Sequence, residues 1–158
     1  MSGTPTGSTV LQGGRAKAYR PLPVAARATA ISDGLAAYGR GDFFLAHELL
    51  EPAWMGTADL PERELVQGLI KLAAAHVHGV RGNPLGVEKN LRGARARLVA
   101  AGTVSAGVSA SGLRPRLDAI AELDSLDIDG LVAAIDRRLG AGVAEGGRPD
   151  EPIEIPRR

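Results

Sequence analysis

The chain has 158 residues, 19 basic against 18 acidic, and no cysteine. That length accommodates one domain with a sizeable core, the near-zero net charge argues against a protein built wholly for nucleic acid or membrane surfaces, and the missing thiols exclude disulfides and Cys-based zinc sites. Aromatic residues are only 3% of the chain, so a core must come from Leu, Ala, Val and Ile, and each Phe, Tyr or Trp position weighs more.

The first 14 residues are rich in Ser, Thr and Gly and lack the apolar block of a signal peptide. Residues 1–22 read as a disordered basic arm carrying Arg15, Lys17 and Arg20 and ending at Pro21 and Pro23. From Val24 the pattern turns helical, with Ile31, Leu35 and Tyr38 at steps of four and three, ending near Gly39. Asp42 then suits an N-cap for a second helix, Phe43 to about Met55, with Pro52 in its last turn. Pro61 opens a third helix running to about Arg81, with Leu65, Leu69, Leu72 and His76 on one stripe. This helix is apolar or small nearly all round, which marks it as central.

Gly82 stops that helix, Asn83 caps the next and Pro84 begins it, with Val87, Leu91, Ala94, Leu98 and Ala101 facing inward. Residues 102–112 read as a surface connection, followed by weaker helices over about 113–123 and 130–139, the latter capped by Asp129. The expected architecture is therefore all-α: a compact bundle of five to six helices around a central antiparallel pair, over residues 23–140. A flexible tail is expected over 141–158. No stretch of about 18 apolar residues exists, so a soluble cytoplasmic protein is the simplest expectation.

The chemistry-bearing residues concentrate between positions 42 and 83. His47 and Glu51 are four residues apart and Trp54 is seven from His47, which puts the three within about 60° of arc on one helix. Gln67, Lys71, Ala74 and His78 form another stripe on the third helix. If the two helices pack as a tight hairpin, Glu51 meets Gln67 and His47 meets Lys71, with His78 roughly 10 Å further along the axis.

These residues, His47, Glu48, Glu51, Trp54, Gln67, Lys71 and His78, are the candidate ligand-binding cluster of an inter-helix cleft. The plainer reading is a satisfied internal polar network that fixes helix register. The sharper one is a divalent-metal site with His47 and Glu51 as ligands, the i, i+4 spacing of helical metal ligands, and Glu48 as a conceivable base. A lysine facing His47 would repel such an ion. His76, on an apolar stripe, reads as a core or rim histidine. No other cofactor is implied, and no nucleophile triad or phosphate-cradling glycine loop is present.

In this order and separation, Gly41-Asp42-Phe43-Phe44, Ala46-His47-Glu48, Glu51, Trp54, Gln67-Gly68-Leu69-Ile70, His78 and Arg81-Gly82-Asn83-Pro84 resemble the DUF309 family of small all-helical bacterial and plastid proteins, over about residues 39–100. The resemblance implies a compact helical bundle and no assigned activity. The leading functional expectation is a non-enzymatic binding or interaction module, its partner a protein or a second copy of the chain. The alternative is a metal-dependent hydrolase. A third reading, weak nucleic-acid association, rests on the basic arm and on Arg81, Lys89, Arg92, Arg95 and Arg97. A solvated helix face explains those charges better, since stacking aromatics are missing there, and no membrane association is expected.

Overall fold

In a computed structural model, residues 8–110, 120–141 and 151–158 are described. Two short strands, β1 (Thr9–Gln12) and β2 (Arg15–Ala18), precede six helices: α1 (Val24–Gly39), α2 (Phe43–Met55), α3 (Leu60–Val80), α4 (Pro84–Ala110), α5 (Ala121–Asp124) and α6 (Ile128–Ala141).

The helices begin where local chemistry satisfies their free amides. Asp42 accepts from Leu45 N at 3.3 Å, Asp59 from Glu62 N at 3.2 Å, and Asn83 from Gly86 N at 3.1 Å. Asp127, rather than the anticipated Asp129, receives Gly130 N at 2.9 Å ahead of α6. α2 buries Phe43, Ala46, Leu50 and Ala53, at steps of three, four and three, and continues past Pro52 to Met55. Gly34 of α1 allows that helix to lie close on α2, because a Cβ there would sit 2.6 Å from Leu50 Cγ.

α3 is the centre of the bundle. Leu65, Leu69, Leu72 and Ala73 are fully or almost fully buried, together with Leu91, Ala94, Leu98 and Ala101 of α4. The most extensive packing joins α3 to α4, and α3 contacts α2 on another side. No helix among the described residues is long and apolar enough to cross a membrane.

Three expectations need correcting. The N-terminal arm is not wholly without structure: residues 9–18 form an antiparallel hairpin in which Thr9 pairs with Ala18 and Gln12 with Arg15. Its turn is Gly13-Gly14, at φ 59° and 76°, a left-handed pair that favours glycine at both positions of a two-residue hairpin turn. So short a hairpin is marginal alone. It is fastened to the bundle by side chains described below, and the next segment runs on through Arg20 N to Met55 O at 2.9 Å and Leu22 N to Gly56 O at 3.0 Å.

Second, α4 continues through Gly102 to Ala110, where a connection was expected; a helical glycine costs only about 1 kcal/mol, too little to end a helix by itself. The helix expected over 113–123 falls mostly outside the described residues. Third, the last eight residues are seated on the bundle. Ile153 is buried, its N–H donates to His76 Nε2 at 3.1 Å, and its carbonyl accepts from the Tyr38 hydroxyl. Asp127 N donates to Pro156 O and Arg158 N to Ser125 O, both at 2.9 Å. Two isoleucines among prolines and charges carry too little periodicity to reveal such docking, and residues 142–150 lie outside the described residues.

Candidate functional site

On α2, His47, Glu48 and Glu51 each offer a ligand atom, all within 4.8 Å of one another. Glu51 is one helical turn from His47, and Glu48 leans back toward the imidazole, with Oε1 3.4 Å from His47 Nδ1. That contact lacks hydrogen-bond geometry, so His47 Nδ1 is buried and has no hydrogen-bond partner. The His47 side chain is about one-third exposed at 33% and Glu48 about half at 52%, so the cluster opens to solvent on one side. An imidazole nitrogen with two carboxylates is a donor set suited to a divalent cation, nearly neutralising its charge.

The remaining members of the expected cleft are elsewhere. No hydrogen bond or ion pair joins Glu51 to Gln67 or His47 to Lys71 among the described residues. Gln67 instead accepts from Gln12 of the hairpin, and Lys71 lies against α4, where a Cβ on Gly93 would be 2.9 Å from Lys71 Cδ. His78 meets Asn83 Nδ2 at 3.1 Å near the α3–α4 junction. The reason is angular. His76, on the apolar stripe of α3, packs against Phe43, with ring centroids 4.9 Å apart and tilted, and edge-to-face against Tyr38 at 5.8 Å, facing α1 and α2. Residues two positions apart on a helix point about 200° away from each other, so the stripe of Gln67, Lys71 and His78 must face away from α2. His47, Glu48 and Glu51 thus stay together, while Trp54 and Gln67 bond to Gln12, Lys71 lies at Gly93 and His78 at Asn83.

Residues 31–90 match the DUF309 family model. Its description is a domain of unknown function, and the match runs from Ile31 in α1 to Asn90 in α4. All seven candidate residues lie inside this DUF309 region. No curated protein and no solved structure matches the chain.

The start of α3, also inside the matched region, holds three consecutive charged residues that its apolar periodicity does not bring out. Glu62, Arg63 and Glu64 are all buried. Arg27 of α1 pairs with Glu62, Nε to Oε2 at 2.7 Å and Nη2 to Oε1 at 3.3 Å. Glu64 pairs with Arg97 of α4 at 2.9 Å. Among the described residues Arg63 has no carboxylate in hydrogen bond and is satisfied by other oxygens: Gln12 Oε1 at 3.1 Å, the carbonyls of Trp54 at 3.1 Å, Thr57 at 3.0 Å and Ala18 at 2.7 Å.

Its guanidinium also lies 4.7 Å from the Trp54 ring centroid. Burial pulls the Arg63 pKa below its ordinary value, opposed by Glu64 and Tyr19. Gln12, outside the DUF309 region, is thus a structural bolt: its oxygen takes both Arg63 Nε and Trp54 Nε1, the latter at 3.1 Å. The one signal that could have revealed this was Gly13-Gly14 between two short strand-compatible segments, a hairpin pattern.

Proposed function

We propose that this chain is a non-enzymatic binding module whose α2 site takes one divalent metal ion on His47, Glu48 and Glu51. The observation that carries the reading is the convergence of three donor atoms within 4.8 Å, one of them a buried imidazole nitrogen with no hydrogen-bond partner. Lys71, the cation whose repulsion weighed against a metal here, is turned toward α4, which removes that objection. Three donors leave positions for water or for a group from a bound partner.

A hydrolase needs a base beside the metal as well as its ligands. Glu48 and Glu51 are the two carboxylates of the cluster, and counting both as donors leaves none within it to act as a base, which favours binding over catalysis.

Calorimetric titration with Zn²⁺ and Mn²⁺ tests the reading. One ion per chain is expected, with affinity reduced about tenfold or more in His47→Ala and Glu51→Gln. Absence of binding, or wild-type affinity in both variants, sinks it.

A further inference from the structure

Between the hairpin, α3 and α4 lies a cavity of about 320 Å³, lined by Gln12, Arg15, Lys17, Gln67, Lys71 and Arg97, with Gly93 also on its wall. Its volume is at the lower end for small-molecule sites. Arg15, Lys17 and Lys71 have no carboxylate partner among the described residues, and Arg97 shares Glu64 with the core. The absence of a side chain at Gly93 makes room for the Lys71 stem.

The amides add donors of fixed orientation. Trp54 Nε1 and Arg63 Nε can only donate, so the atom of Gln12 they share must be its oxygen. Gln12 Nε2 must then donate, and Gln67 receives it with its own oxygen. Gln67 is left with an amide NH₂ that has no protein acceptor among the described residues, on the wall of a cavity already lined by cations.

We propose that this cavity binds a small phosphate-bearing molecule, gripped by Lys71, Lys17, Arg15 and Arg97 and by the Gln67 amide. Every group named is a donor, and three of the positive charges lack a counterion among the described residues, which suits a multiply charged anion with several oxygens over a single carboxylate. Burial and the repulsion of Arg97, Lys17 and Lys89 together hold the Lys71 pKa below its ordinary value, a tension that a bound dianion relieves. A small ligand fits better than a polymer because the charge does not spread: Arg92 is paired with Glu88 at 2.9 Å and Arg95 with Asp136 at 2.6 Å, leaving no continuous basic track along α4. This site is separate from the α2 cluster and stands or falls without it.

Pyrophosphate and inorganic phosphate are the probes, and Trp54, the single tryptophan, is the reporter through its bond to Gln12. At constant ionic strength, titration is expected to change the fluorescence saturably. The affinity should fall about tenfold or more in Lys71→Gln and in Lys17→Gln but hold in Arg92→Gln, which alters charge outside the cavity. Lys17→Gln, on the hairpin, keeps the test valid if Lys71→Gln fails to fold. An unsaturable response, an equal response to chloride, or unchanged affinity in Lys17→Gln overturns the proposal. So does displacement of pyrophosphate by a DNA or RNA duplex with steep salt dependence, which would assign the cavity to a nucleic-acid backbone.

Discussion

Arg63 lies over the indole of Trp54, and both donate to a single oxygen, Gln12 Oε1, at 3.1 Å each. A guanidinium buried without a hydrogen-bonded carboxylate is stable only if its donors are met, and here a hairpin outside the helical bundle supplies the acceptors from Gln12 and Ala18. The hairpin and the start of α3 therefore hold each other.

Gln12→Ala is accordingly expected to cost about 2–3 kcal/mol, the penalty of leaving Arg63 Nε and Trp54 Nε1 without an acceptor. Urea unfolding measures it. Arg15→Gln, on the same hairpin and exposed, should change stability by less than about 0.5 kcal/mol.

Glu62→Ala strands the Arg27 guanidinium in the interior and should cost about 3–5 kcal/mol. The double variant Arg27→Met/Glu62→Leu should recover most of that loss, since replacing both charges removes the unpaired ion. If the double variant is no more stable than Glu62→Ala by chemical denaturation, the pair is not acting through charge burial.

His76 has its pKa lowered from 6.5 to about 4, first by burial and then by Arg138. As pH falls below about 6.5 the unfolded chain takes up the proton while the folded chain does not. The histidine's contribution is thus full above pH 6.5 and lost progressively between 6.5 and about 4, a total of about 3 kcal/mol at most. Only near pH 4 does the folded imidazole itself take the proton and lose the Nε2 acceptor for Ile153 N, so the protection of the Ile153 amide relative to its intrinsic exchange rate should fall there. His76→Gln should flatten the dependence of stability on pH; a wild-type slope in that variant assigns the effect elsewhere.

Gly34→Ala should destabilise by about 1–3 kcal/mol, because the added methyl would sit 2.6 Å from Leu50 Cγ and 2.7 Å from Leu50 Cδ2, forcing α1 and α2 apart. Gly39→Ala, with open space around it at the end of α1, is the control and should be neutral or slightly stabilising in thermal melts.

Period and punctuation in the sequence were enough to define α1, α2 and α3 and the start of α4. Asp42, Pro61, Gly82 and Asn83 mark ends because capping and proline geometry are local properties of a few consecutive residues. The grouping of His47, Glu48 and Glu51 was legible for the same reason: a single helix fixes their spacing. What sits opposite them was not. Which stripe of α3 turns toward α2 is decided by where the largest apolar area can be buried, and that choice sent Gln67 to Gln12, Lys71 to Gly93 and His78 to Asn83.

The seating of Gln12 and Ile153 depends on contacts 51 and 77 residues away along the chain, Arg63 and His76 respectively. Composition read both ends as unstructured because their own residues are small, polar or charged. Only the tertiary arrangement, by presenting a buried guanidinium at one end of α3 and a neutral imidazole near the other, gave those ends something to satisfy.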